Sequence, residues 1–359
     1  MRNLLTACAR NLFRATVTRS PWFDPVLPTL YVTPVCNLQC TYCADWGTGR
    51  NRQYQDEVPS LERLQGIVRL LRRECDTIYL TGGEPTMRPD ILELLGFIRA
   101  QRFRYVAMNT NGLLLHRYPG IVDLVDNLVV SVDALDEGRD DPVLRRQPHR
   151  VARLFRNLRW AAAQQPGRSF VCTVTTVVRP GKVAEARRVM EFCFAHGLFF
   201  SIQHLTENSL ASPELVRDRE FPRFLDEMIA AKRAGRPVSG SEVYIRRTRE
   251  LASYSCAPTA VPHVDHAGRL AYPCRELPGH VKVDLLAAGS LRQAIAEGAR
   301  RVGAPPVGCS RCPDRCYVEA STLLRSPGLL VRETLSYLGQ AAKAARAARA
   351  APASGGAGA

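Results

Sequence analysis

Between residues 29 and 205, short continuous apolar runs alternate with stretches in which apolar side chains recur every three to four positions. The first pattern reads as buried strand and the second as helix with one face inward. Strand-like runs occupy 29–33, 77–80, 104–108, 127–132, 169–178 and 198–205. Helical patterns fall between them: one opens after Ser60 with Leu61, Leu64, Val68 and Leu71, and others cover 90–100, 120–125, 144–163 and 182–194. Strand and helix in strict alternation predict an α/β fold with a parallel sheet and right-handed crossovers, whose functional residues gather at the carboxyl ends of the strands.

Outside this core the pattern changes. Residues 1–20 place Leu4, Leu5, Cys8, Leu12 and Ala15 on one side of a helix, with Arg10 and Arg14 on another. Pro21, Pro25 and Pro28 then break the chain. Charged helices are expected over 211–251, a hairpin turning at Gly268 over 264–272, and a helix over 290–300. Ser326 and Pro327 read as cap and first position of a last helix bearing Leu330, Leu335 and Leu338, ahead of a disordered Ala/Arg and Gly tail. The expected division is an amphipathic segment at 1–28, a core at 29–210, a helical connection at 211–253, a cysteine-bearing domain at 254–325 and a tail at 326–359.

With 359 residues and 46% hydrophobic content the chain can bury a sizeable core. The net charge of +15 invites a nucleic-acid or anionic-membrane reading, but Lys182, Lys232, Lys282 and Lys343 are the only lysines. The remaining positive charge is scattered arginine, such as Arg72, Arg73, Arg145 and Arg146, which reads as solvated helix faces rather than a binding stripe. Twelve cysteines sit in metal-like spacings with no credible signal peptide before them, and the box around Cys8 lacks the apolar stretch a lipoprotein signal needs. A reducing cytoplasm is therefore expected, and no apolar run is long enough to span a bilayer.

Three thiols, Cys36, Cys40 and Cys43, fall within eight residues directly after the first strand. Soft thiolates suit zinc or iron-sulfur clusters, and three local ligands leave either a fourth elsewhere or one iron open. The Cys-x3-Cys-x2-Cys spacing, with Tyr42 before the last cysteine, resembles the signature of the radical S-adenosylmethionine (radical SAM) superfamily. That resemblance implies a partial (βα)6 TIM-type barrel over about 29–205. It also implies a [4Fe-4S] cluster on these cysteines, SAM chelating the fourth iron, a 5'-deoxyadenosyl radical, and an external electron donor such as flavodoxin or ferredoxin. Gly82, Gly83, Glu84 and Pro85 follow the second strand and match the superfamily's GGEP motif, placed beside the SAM amino group. Asn109 and Thr110 after the third strand, and Ser131 and Asp133 after the fourth, correspond to contacts with the ribose and carboxylate of SAM; ordinary turn chemistry is the alternative. Gln203 and His204 close the sixth strand and are expected to face the substrate, although His204 is equally suited to a structural role.

A second set follows: Cys256, Cys274 and the hook Cys309-x2-Cys312, with Cys316 beyond it. Two distant cysteines and a hook complete a four-thiolate site for zinc or a second cluster. After a radical SAM barrel the pattern resembles a smaller α+β twitch domain, the short relative of the SPASM domain, with one auxiliary [4Fe-4S] cluster. Cys316 departs from that pattern as a spare thiol, an alternative ligand or the mark of a family variant. Cys75, Cys172 and Cys193 read as core residues.

The expected function is radical SAM chemistry on a small metabolite or lipid-like substrate, since the stretch before residue 29 is too short for a peptide-recognition domain. The alternatives are a peptide- or RNA-modifying relative and a non-catalytic zinc scaffold. The two amphipathic ends raise peripheral membrane docking as a further expectation, against simple packing on the barrel.

Overall fold

The computed structural model describes residues 4–43, 54, 56–136, 138, 140–207, 210–250, 254–306, 309, 312–326, 328–333, 335 and 339. Its core alternates β1 (Thr29–Tyr31), α2 (Leu61–Glu74), β2 (Thr77–Thr81), α3 (Ile91–Ala100), β3 (Tyr105–Thr110), α4 (Ile121–Leu124), β4 (Asn127–Ser131), α6 (Pro148–Gln164), β5 (Val171–Val178), α7 (Val183–Ala195) and β6 (Phe199–His204). All six strands run parallel in consecutive order, as short βα crossovers require. Ser60 caps α2 by accepting the Arg63 amide at 3.2 Å, and Leu64, Ile67, Val68 and Leu71 bury one face.

The single helix expected over 144–163 is two pieces, α5 (Pro142–Arg145) and α6, because Pro148 starts a new first turn.

The two faces of the sheet differ. Ile78, Leu80, Val106, Met108, Leu128, Val130 and Val174 are fully buried beneath the helices. Their alternates Tyr79, Tyr105, Asn109, Val129, Thr175 and Gln203 keep partial exposure. The sheet therefore curls around a lumen that solvent reaches, rather than the layered side-chain core of a closed barrel.

After β6 come the short antiparallel pair β7 (Thr206–Glu207) and β8 (Leu210–Ala211), then α8 (Pro213–Arg217), α9 (Glu220–Arg233) and α10 (Glu242–Glu250). The expected hairpin forms as β9 (His263–Val264) and β10 (Arg269–Tyr272), extended by β11 (Val281–Asp284). Unforeseen is its position: β9 pairs in parallel with β1, so the order is β11-β10-β9-β1-β2-β3-β4-β5-β6 in one nine-stranded sheet. The remaining elements are α11 (Leu285–Ala288), α12 (Leu291–Val302) and α13 (Arg315–Leu323), which places Cys316 in a first helical turn.

Helix α1 (Leu4–Phe13) packs Ala7 against the cluster of Phe23, Val26, Cys256 and Ala260. Its Leu4 amide donates to Asp76, while Arg10 and Arg14 both pair with Asp24, at 2.5 and 2.9 Å. No helix among the described residues is long and apolar enough to cross a membrane. Pro327, Leu338 and the tail from 340 lie outside the described residues, while Leu335 is exposed.

Candidate active site

The loop after β1 carries Cys36, Cys40 and Cys43 and is fastened to the carboxyl ends of three other strands. The Gln39 amide donates to Asp141 Oδ2, and the Thr41 amide and hydroxyl donate to Asp140, at 3.1 and 2.5 Å. The Tyr42 phenol donates to Asp133 Oδ2, and Asn111 Nδ2 donates to Asn37 Oδ1 at 2.7 Å. Cys40 is buried and the other two thiols are half-buried. Burial alone would raise the Asp140 carboxyl, but the Thr41 hydroxyl and the Arg179 and Arg145 guanidinium groups outweigh it and hold it below the usual range. Arg179 sits 2.6 Å from Asp140 and 5.7 Å from the Tyr42 ring centroid. Sequence reading missed Asp140, Asp141 and Arg179; an acidic pair before Pro142 is a helix-start signal that would have marked the first two.

The GGEP turn is knitted to the same loop backbone to backbone. Gly83 and Glu84 amides donate to Thr33 and Val35 carbonyls at 2.9 and 2.7 Å. A Cβ on Gly82, at φ 145°, would stand 2.5 Å from the Thr33 carbonyl oxygen, so this approach requires glycine. Glu84 is buried and its Oε1 accepts from the Thr86 amide (3.0 Å) and from the Thr86 and Thr110 hydroxyls (both 2.6 Å). Its Oε2 accepts from the Asn111 amide at 2.6 Å, and burial raises the carboxyl despite these donors. Two lone pairs per oxygen leave Oε2 one further accepting position.

Thr110 and Asp133, expected to reach SAM, serve as ties. Thr110 bonds Glu84, while Asp133 Oδ1 accepts the Val177 amide at 3.0 Å and its other oxygen holds Tyr42. Asn109 and Ser131 meet across β3 and β4 on the inner face, hydroxyl to amide oxygen at 3.3 Å. At the end of β6 Gln203 points inward, but His204 does not: it shares the outward face with Phe200 and packs 6.4 Å from the Phe221 ring of α9. Neither His204 nitrogen has a hydrogen-bond partner, and burial lowers its pKa to about 4. A neutral structural histidine results, the structural one of the two roles the sequence left open for it.

Cys256, Cys274, Cys309 and Cys312 line one small pocket, together with Glu276 and Leu277. Cys316 is not part of that lining. Burial pushes the Cys274 and Cys312 thiols up to about 12 and about 11 and raises Cys256 further; neighbouring sulfurs add to the shift at Cys256 and Cys274, and the Asp314 and Glu276 carboxylates at Cys312. Mutually repelling thiolates in an apolar pocket fit a cationic metal centre, whose binding would release their protons. Among the described residues no group of three or more Cys, His, Asp or Glu side chains is already gathered as a metal-ion site. Cys75, Cys172 and Cys193 are core residues, as read.

The family model of the radical SAM superfamily matches residues 30–193. A probable GTP 3',8-cyclase of Methanococcus maripaludis is 34% identical over 110 residues, covering 30% of this chain and 36% of the relative. A GTP 3',8-cyclase of a Synechococcus strain is 35% identical over 134 residues, covering 33% and 36%. The matches thus span about a third of these relatives' own length. Among solved structures, Streptococcus suis SuiB bound to S-adenosylmethionine aligns with TM-score 0.57 and 17% identity, over 80% of this chain and 69% of that one. The structure of anSMEcpe with AdoMet and a peptide aligns at TM-score 0.54 and 15% identity, over 84% of each chain. At such identities these two likenesses concern the fold, a mostly parallel α/β sheet of the partial-barrel kind. Residues 30–193 of this chain are therefore a radical SAM domain, the type of domain whose cofactors are SAM and a [4Fe-4S] cluster.

Proposed function

We propose that the chain is a radical SAM enzyme acting on a small molecule held in the barrel lumen, with an auxiliary [4Fe-4S] site in its carboxyl-terminal part. The observation that carries this reading is the knitting of the three-cysteine loop to the GGEP turn, which sets three thiols beside a glycine-lined approach at the strand ends. When bound, the cluster and SAM supply a 5'-deoxyadenosyl radical that abstracts hydrogen from substrate. Cys36, Cys40 and Cys43 hold that cluster. Gly82 and Gly83 let a ligand approach the backbone, and the open position on Glu84 Oε2 accepts from an ammonium group. Asn109 and Ser131 orient ligand hydroxyls from the inner face. Cys256, Cys274, Cys309 and Cys312 hold the auxiliary cluster, over a domain spanning about 254–325. An external single-electron donor is required.

The small-molecule assignment is supported by the relatives named GTP 3',8-cyclase and by the partly exposed, polar and aromatic inner face of the sheet. Membrane docking and a lipid-like substrate have less in their favour, because Arg10 and Arg14 are engaged with Asp24 and α1 packs on the protein.

Anaerobic protein reconstituted with iron and sulfide, then reduced with SAM, should release 5'-deoxyadenosine and carry two clusters per chain. Zinc at both sites without acid-labile sulfide, and no SAM cleavage, would sink the reading in favour of a zinc scaffold.

A further inference from the structure

The lumen contains a cation that the function above does not use. Arg315, at the start of α13, reaches into the sheet from the carboxyl-terminal part of the chain. Its Nη1 donates to Ser201 Oγ on the inner face of β6, and its Nη2 donates to Ser239 Oγ at 2.9 Å. The guanidinium lies 5.8 Å from the Tyr244 ring centroid, and its charge is felt by Tyr79 on β2 and Tyr105 on β3. These residues stand in the amino-terminal and middle parts of their strands, below the level of the cysteine loop.

Both protein partners of the guanidinium are neutral hydroxyls. No carboxylate of a described residue lies within ion-pair distance of it. The acids nearest along its helix are already engaged: Asp314 Oδ1 accepts the Cys316 amide at 2.8 Å, and both Glu319 oxygens accept the Ser241 amide at 2.9 and 3.1 Å. The neighbouring Arg275 contrasts with it, since Arg275 pairs with Glu276 at 2.9 Å. A guanidinium carries five N–H donors, of which these two contacts use two. The Glu319 carboxylate, one turn along α13, interacts with the Arg315 charge but not as a contact ion pair, and an arriving oxyanion would give the unused donors direct charge-assisted hydrogen bonds.

We propose that Arg315, steadied by Ser201 and Ser239, is an oxyanion-binding subsite of the substrate chamber, and that the substrate carries a carboxylate or phosphate which it holds. The inference rests on the small-molecule reading above and narrows it to anionic metabolites. The Ser201 and Ser239 hydroxyls fix the fork of the guanidinium against the inner face of β6, so Arg315 sets which end of the substrate enters deepest.

The test uses the full chain reconstituted with iron and sulfide, titrated separately with inorganic phosphate and with acetate by calorimetry. Saturable binding is expected, weakened at least about tenfold in Arg315→Gln because a charge-assisted contact is lost; iron and sulfide contents should match the parent. The anion bound more tightly identifies the phosphate or the carboxylate class. Arg315→Lys retains the charge and should keep phosphate binding to within about threefold, which guards against a misfolded glutamine variant. Equal affinity in the parent and Arg315→Gln, absence of saturable binding in the parent, or loss of iron from Arg315→Gln would each overturn the proposal; the last would mean that the charge serves the cysteine site. Parent protein that binds the anions yet makes no 5'-deoxyadenosine would defeat the radical SAM reading while leaving this subsite standing.

Discussion

The Tyr42 phenol donates a hydrogen bond to the buried carboxylate of Asp133, joining the residue before the last loop cysteine to the end of β4. The other Asp133 oxygen holds the Val177 amide, so the cysteine loop is registered against β4 and β5 together. Tyr42→Phe deprives one buried carboxylate oxygen of its donor, at a cost of about 1–3 kcal/mol. The melting temperature should fall, and 5'-deoxyadenosine formation should fall with it as the loop loses its register. Unchanged turnover with an unchanged melting temperature would show that the tie is dispensable.

Gly82→Ala tests the close approach of the two loops. The added Cβ would meet backbone rather than a flexible side chain, 2.5 Å from the Thr33 oxygen, at a φ that L residues rarely adopt. Separation of the GGEP turn from the cysteine loop should follow, with loss of SAM binding measured by equilibrium dialysis and a melting temperature several degrees lower. Wild-type affinity for SAM in the alanine variant would contradict this account.

The six core strands were legible because parallel strands covered by helices are apolar runs between turn residues, and each lies within two residues of its expected bounds. The junction of β9 with β1 was not. His263–Val264 is only two residues long, and pairing across more than two hundred residues leaves no local trace. Strand parity was also hidden: Phe200 and Ser201 are both buried, so the sequence of β6 does not reveal which face meets α9, and it left both a substrate-facing and a structural role open for His204. In the site, cysteine spacing marked both thiol sets, whereas the anchoring roles of Thr110 and Asp133 depend on contacts between strand ends that no single segment encodes.

The buried His204 makes stability depend on pH. Its folded-state pKa is lowered to about 4, below the ordinary value near 6.5, because burial disfavours the charged ring. The unfolded chain therefore binds the proton first on acidification. Its neutral state contributes stability in full above about pH 6.5, and the contribution declines at about 1.4 kcal/mol per pH unit until the folded form titrates near 4. Replacing the ring with an apolar one, His204→Phe, should flatten the urea-unfolding profile between pH 6.5 and 5. An identical slope in parent and variant would assign the acid sensitivity to other groups.

The two cysteine sets should separate in their metal content. Cys40→Ala removes the buried thiol of the loop and should abolish 5'-deoxyadenosine formation while iron and sulfide remain at the distal site, since the two sets occupy different parts of the chain. Joint replacement of Cys256, Cys274, Cys309 and Cys312 should remove about half of the iron, each four-iron site being an independent unit. Cys316 provides the discriminating case. It lies in the first turn of α13, outside the lining of the four-thiol cavity, so Cys316→Ala should keep the full iron and sulfide content. Loss of the distal iron from Cys316→Ala with retention in Cys312→Ala would reverse that assignment, making Cys316 the ligand and Cys312 the spare thiol.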